Sequence, residues 1–191
     1  MPPHWFWVTA LFALAGLQRL SELFLSRRFL APDLRTCQAS ILREPVYPYM
    51  VALHSGWLLA GWLEGVWFPA APNLVVQTGS ALALGLALAL RTWMLAVMGP
   101  RWHVRVVRRS DQPIVNTGPY RFIRHPNYLA VVLEMAAVPL LAGAPWSAAL
   151  ASLANAGVLW RRIGLEEAYL MKHPAYREAF ANKARFIPGL F

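Results

Sequence analysis

The sequence predicts an all-α, polytopic integral membrane protein of about five transmembrane helices, with a C-terminal helical hairpin and polar cytoplasmic loops. Three observations predict it. Hydrophobic residues make up 58% of the 191 residues and charged residues 14%, against about 25% charged in an ordinary soluble domain. The apolar residues gather in runs, and a bilayer takes about 20 such residues per helix. Arg and Lys cluster in alternate connections between those runs, as the positive-inside bias requires.

The first run covers residues 5–25, the second 46–68 and the third 74–98. The N-terminus lacks the basic start of a cleavable signal peptide, so the first run reads as a retained span. A fourth run covers 128–142 and a fifth 146–160. Both are short, and Gly143, Ala144 and Pro145 make a tight turn between them. The pair reads as a helical hairpin that tilts or continues as helix beyond the lipid.

Arg27, Arg28, Arg35 and Arg43 lie between the first two spans, and Arg101, Arg105, Arg108, Arg109, Arg121 and Arg124 between the third and fourth. Arg161, Arg162, Lys172, Arg177, Lys183 and Arg185 follow the fifth. The remaining connections carry no Lys or Arg. Five spans with the N-terminus outside and the C-terminus cytoplasmic satisfy every loop. The chain reads as a single membrane domain over 1–191, with three N-terminal spans in 1–98 and the hairpin with its flanking polar segments in 99–191. Arg outnumbers Lys sixteen to two, the usage of a GC-rich genome and a weak pointer to a bacterium; for a polytopic chain the expected location is then a bacterial inner membrane.

A net charge of +9 alone suggests nucleic acid, but that needs basic residues on one soluble face. Here they sit between apolar runs, so no nucleic-acid partner is expected. Cys37 is the single cysteine, which excludes an intrachain disulfide. No metal site is expected.

Gln18, Arg19, Glu22, His54, Glu64, Arg91 and Glu134 fall inside apolar runs. A charge at a helix centre costs about 2.5–3.5 kcal/mol on insertion scales, so such groups face protein or a polar cavity. Arg19 and Glu22, three apart, pair on one helix face, a reading that favours glue between helices. Glu134 lies mid-hairpin and is a pocket candidate. Ala81, Gly85 and Ala89 form a small-residue stripe, the pattern of close helix packing.

The polar mass is concentrated in 99–127 and 161–191, which flank the hairpin and should fold together. The first holds Gln112-Pro113-Ile114-Val115-Asn116-Thr117-Gly118-Pro119-Tyr120, a turn whose N–H groups can bind a carboxylate. Arg121-Phe122-Ile123-Arg124-His125-Pro126-Asn127-Tyr128 then runs into the fourth span, where a helix N-terminus suits an anion. Arg124-His125-Pro126-Asn127-Tyr128 is echoed by Lys172-His173-Pro174-Ala175-Tyr176, two helix starts with Pro in the first turn. In the second segment Arg162 and Glu166 share a helix face, with Glu167 adjacent.

This ordered set, from Gly118-Pro119-Tyr120 and Arg124 to Tyr128 through Arg162, Glu166 and Glu167 to Tyr176, Phe180, Arg185 and Pro188, resembles the isoprenylcysteine carboxyl methyltransferases and their bacterial relatives. The resemblance runs from about Arg101 onward. The N-terminal half, with Gln18, Arg19, Glu22 and His54, is similar more loosely to small bacterial members that methylate long-chain resorcinols or pyrones. The resemblance implies a methyltransferase using S-adenosyl-L-methionine, with transfer to a carboxylate or a phenol or enol oxygen of a lipophilic acceptor. It implies that Gln112, Pro113, Ile114, Val115, Tyr120, His125, Pro126, Asn127, Tyr128 and Glu166 bind the cofactor. It implies that Arg162 and Arg185 face the acceptor. Gln112 stands where the prenylcysteine enzymes often have His.

The chemistry agrees. The cofactor's carboxylate wants His, Tyr or N–H donors, and its ammonium wants a carboxylate such as Glu166. No GxGxxG turn or strand–helix alternation is present, so the cofactor must be held by loops and helix ends beside the membrane. A carboxylate acceptor needs no base, but a phenol with a pKa of about 10 benefits from one. Glu167, Glu134, His54 and His103 are the candidates, and the sequence does not choose among them. Rival readings are a sterol or lipid reductase using NADPH, which shares an Arg-His-Pro-x-Tyr segment, and a non-catalytic membrane carrier. An amine acceptor is a further possibility for a methyltransferase.

Overall fold

The structure, a computed structural model, describes residues 2–36, 39–42, 44–109 and 114–189. Six α-helices occur among the described residues: α1 (His4–Arg35), α2 (Tyr47–Trp67), α3 (Leu74–Met98), α4 (Pro126–Leu141), α5 (Pro145–Leu170) and α6 (Pro174–Phe180). Two of them, α1 and α3 with its extension to Arg101, are long and apolar enough to cross a membrane, and α4 is a shorter apolar helix.

Burial is inverted relative to a soluble protein. Leu14, Leu17, Leu82, Leu86, Leu150 and Leu153 point outward and are exposed, while Glu22, Arg91, Glu134 and Asn155 are buried. Apolar surface on this scale marks contact with lipid or protein, and polar groups inside an apolar bundle serve packing or function. α4 packs against both α3 and α5, and α2 packs against both α1 and α5. Val8 and Phe12 of α1, Trp57 of α2, and Val131, Met135 and Val138 of α4 form one core. Trp57 Nε1 donates to the Met135 carbonyl at 3.1 Å, so the buried indole is satisfied.

Local chemistry sets the helix ends. The Asn73 side chain accepts from Val76 N–H at 2.9 Å and starts α3, and Gly99, at φ 52°, ends it. α4 and α6 both begin at Pro, as their echoed motifs predict. Glu64, at the end of α2, accepts from Trp146 N–H at 3.0 Å and Ser147 N–H at 2.7 Å. Its carboxylate thereby caps the positive end of α5.

The turn between α4 and α5 rests on Gly143, whose φ is 73°. A Cβ there would stand 2.5 Å from the Ala70 carbonyl oxygen, and Ala70 N–H donates to the Gly143 carbonyl at 2.8 Å. Gly143→Ala is therefore expected to lower stability by at least about 1–2 kcal/mol. Gly157→Ala, where a Cβ meets nothing within 4 Å, should be neutral or slightly stabilising. Thermal unfolding of the two variants in detergent checks the contrast.

Three features depart from the sequence expectation. First, β1 (Ala39–Ile41) and β2 (Val107–Arg109) pair antiparallel, adding a two-stranded ribbon to a helical fold. Second, α1 runs about ten residues past the end of its apolar run, through Pro32 to Arg35; α5 also runs on to Leu170, the continuation beyond the lipid that its short run allowed. Third, Ala81, Gly85 and Ala89 form no close packing: all three are exposed, and a Cβ at Gly85 would meet nothing within 4 Å. The buried face of α3 carries Ser80, Ala87, Arg91 and Met94 instead, turned inward by the need to pair Arg91. Cys37 and Arg43 lie outside the described residues.

Candidate active site

The two polar segments that flank α4 and α5 fold onto each other. Arg124 N–H donates to the Ala184 carbonyl at 2.9 Å and His125 N–H to the Arg185 carbonyl at 3.1 Å. The Arg124 guanidinium donates to the Lys183 carbonyl at 2.7 Å and the Ala181 carbonyl at 2.8 Å. Lys183 Nζ reaches back to the Tyr120 carbonyl at 2.8 Å and to the Asn116 side chain.

A cavity of about 430 Å³ lies between these segments, within the usual range for a small-molecule site. Its wall includes Ile114, Val115, Tyr120, His125, Pro126, Asn127, Tyr128, Arg162 and Glu166, all singled out in the sequence. Gln112 and Pro113 lie outside the described residues. Trp102 and Tyr169, which nothing in the sequence marked, also line it, as does His103.

Adjacent residues on α5 part company because successive positions on a helix diverge by about 100°. Glu166 faces the cavity, where the Tyr128 hydroxyl donates to it. Glu167 turns the other way. It accepts from His125 Nε2 at 2.9 Å, from Arg124 at 3.4 Å and from Arg185 through three contacts, Nε at 3.1 and 3.2 Å and a terminal nitrogen at 2.7 Å. Glu167 and Arg185 are absent from the cavity wall among the described residues. Both pack behind His125, Glu167 through its bond to Nε2 and Arg185 through its bonds to Glu167.

Burial alone would raise the Glu167 carboxyl, but the hydrogen bonds and charges of His125 and Arg185 outweigh it and bring it down to about 2. A carboxyl depressed from 4.5 stabilises the fold fully above that value and loses its contribution as pH falls toward 2. The wild-type melting temperature is therefore expected to fall between about pH 5 and pH 2 more steeply than that of Glu167→Gln. Parallel slopes would contradict the assignment. Burial, reinforced by the charge of Glu166, pushes the Tyr120 and Tyr176 phenols up, so both are neutral donors at physiological pH.

Arg162 is fixed by groups from distant parts of the chain. Glu44 pairs with it at 3.4 Å, and the Val104 carbonyl and Met50 Sδ accept from its terminal nitrogens. Its guanidinium lies 5.6 Å from the Tyr128 ring centroid, a cation–π contact. Glu44 is buried, and Val106 N–H donates to it at 2.8 Å. Sequence reasoning missed Glu44, because only the ribbon of β1 with β2 brings it to α5.

A second cavity, of about 320 Å³, opens between α1 and α2. Gly16, Leu20, Val51, Leu58, Val131 and Leu159 give it apolar walls, and His54, Arg19, Glu22 and Arg91 bring polar groups to it. Trp102, Asn127, Tyr128 and Arg162 line both cavities and form the partition between them.

The polar side of the second cavity is formed by a buried ion cluster. Arg91 donates to Glu134 at 3.0 and 2.6 Å and pairs with Glu22 at 2.8 Å. Arg19 pairs with Glu22 at 3.2 Å and with Glu134, and Gln18 donates to Glu134 at 2.9 Å. Two cations and two anions thus neutralise one another, and the expected pair of Arg19 with Glu22 is part of a larger set. Glu134 spends its lone pairs inside this set.

These features define a class: an apolar helical bundle whose charged, ligand-sized chamber abuts an apolar one. Residues 81–173 match the isoprenylcysteine carboxyl methyltransferase (ICMT) family, and the matched segment contains most of α3, all of α4 and α5, and most of the charged chamber's wall. The chain is also similar to the uncharacterized protein YpbQ of Bacillus subtilis, at 29% identity over 168 residues, covering 88% of this chain and 98% of that protein. With the outward apolar faces, the family match supports a methyltransferase that is a membrane protein.

Proposed function

We propose that the protein uses S-adenosyl-L-methionine to methylate an oxygen of a lipophilic acceptor within the membrane. The shared partition carries this reading: Trp102, Asn127, Tyr128 and Arg162 face a charged chamber on one side and an apolar chamber on the other. A polar methyl donor and a lipid acceptor need such an arrangement.

The donor set fits the cofactor. Glu166 offers a carboxylate to its ammonium. Tyr120 and the positive first turn of α4 suit its carboxylate, and the rings of Tyr128 and His125, with centroids 5.3 Å apart and planes tilted by 32°, bring aromatic surface to its adenosine. When bound, the cofactor supplies an electrophilic methyl group on a sulfonium. Arg162, held by Glu44, stands at the partition to orient the acceptor oxygen. Positioning of this kind is worth up to about 7–11 kcal/mol in well-ordered reactions. Five helices, α1 to α5, cross a bacterial inner membrane in this reading, with the N-terminus outside and the charged chamber on the cytoplasmic side.

Purified protein incubated with methyl-labelled S-adenosylmethionine and a panel of long-chain phenols, pyrones and prenylcysteines tests the reading. Label should pass to at least one panel member. Failure to bind S-adenosylhomocysteine at millimolar concentration, or binding of NADPH in its place, would end it.

A further inference from the structure

We propose that His103 accepts a hydrogen bond from the exocyclic amino group of the cofactor's adenine, so that the charged chamber selects its methyl donor by the base. This rests on the methyltransferase reading above. His103 lies on the connection from α3 to β2 and lines the charged chamber. Both of its ring nitrogens are buried, and neither has a hydrogen-bond partner among the described residues. Its neighbours in the wall differ. His125 Nε2 meets Glu167 at 2.9 Å, and the Tyr128 hydroxyl donates to Glu166. A buried polar group without a partner is costly, and beside a ligand-sized cavity a ligand atom can supply the partner.

The surroundings set the state of the ring. Burial holds the imidazole below its ordinary 6.5, so at physiological pH it is neutral, with one N–H and one bare lone pair. The Ser26 backbone favours the protonated ring, as a carbonyl oxygen does, though it completes no hydrogen bond with it. The N–H therefore belongs on the Ser26 side, and the other nitrogen keeps its lone pair for a donor. His103 is absent from the described wall of the apolar chamber, so it faces the cofactor and not the acceptor.

The cofactor has few donors to offer. Its ammonium goes to Glu166 in the reading above, which leaves the adenine amino group and the ribose hydroxyls. His103 shares the stretch 103–107 with Val106 and Val107. With Ile114 and Val115 these add apolar lining to the aromatic surface of the chamber. Arg105, between them, is drawn toward Glu44 and lies over the Tyr47 ring. A purine suits such a lining. Its amino group presents N–H donors and no lone pair to oppose the imidazole.

Equilibrium binding to the purified protein tests this. S-inosylhomocysteine carries a carbonyl oxygen where S-adenosylhomocysteine carries the amino group, and so sets lone pair against lone pair. The wild type should hold S-adenosylhomocysteine about tenfold or more tightly than S-inosylhomocysteine, the worth of one buried hydrogen bond. His103→Phe keeps a ring without nitrogen. It should lose about tenfold for S-adenosylhomocysteine and little for S-inosylhomocysteine, so the preference disappears. His103→Asn and His103→Gln place an amide oxygen near one or the other ring nitrogen, and at least one should recover part of it. Analogues of S-adenosylhomocysteine lacking one ribose hydroxyl should weaken equally in wild type and His103→Phe. A wild type that binds both bases alike overturns the proposal without any variant. So does a His103→Phe protein that keeps the preference, weakens on both compounds alike, or loses its response to a ribose hydroxyl instead. A wild type that binds none of these nucleosides would overturn the underlying function.

Discussion

Glu134→Ala is expected to leave little folded protein. Arg19 and Arg91 both point at this carboxylate, and its exposed fraction is 2%. Removing it strands two guanidiniums with only Glu22 between them. Breaking a buried pair by deleting one partner costs about 3–5 kcal/mol, a large part of the total stability of about 5–15 kcal/mol for a typical domain. The loss should appear as aggregation or as a sharply lowered melting temperature in detergent. Glu134→Gln keeps the shape and two acceptor lone pairs and should fall between. A Glu134→Ala protein that melts with the wild type would show that the cluster contributes nothing to the bundle.

The second large effect concerns the cofactor. Glu166→Ala should weaken S-adenosylhomocysteine binding by at least about thirtyfold, because truncating one partner of a desolvated charge pair costs about 2–5 kcal/mol. Arg162→Lys should act differently. Lysine keeps the charge opposite Glu44 but loses the planar fork that also reaches the Val104 carbonyl. Cofactor affinity should stay close to wild type while turnover falls. Calorimetric titration together with a labelled-methyl assay separates the two effects. Unchanged affinity in Glu166→Ala would remove that residue from the cofactor site.

Hydropathy located the helices well where lipid-length apolar runs end in glycine, proline or asparagine. The run at 46–68 became Tyr47–Trp67, and that at 74–98 became Leu74–Met98. It fell short at the end of α1, where the helix leaves the apolar stretch at Arg27 and Arg28 and continues through Pro32 to Arg35. Polarity inside apolar runs pointed to Gln18, Arg19, Glu22, Arg91 and Glu134, but not to their convergence, which depends on how α1, α3 and α4 rotate about their axes. The four-residue spacing did set Glu166 on one face of α5 with Arg162, and both line the charged chamber. What the sequence left out is where the next position points: Glu167 turns into the cluster around His125. Glu44 left no local signal, since its partners Arg162 and Val106 come from remote segments.

Photoaffinity labelling with an azido-adenosyl analogue of S-adenosylhomocysteine bears most directly on the charged chamber. Peptides from both 114–128 and 162–176 should be labelled, and excess S-adenosylhomocysteine should block both. Label confined to one of these segments, or found only elsewhere in the chain, would contradict the account.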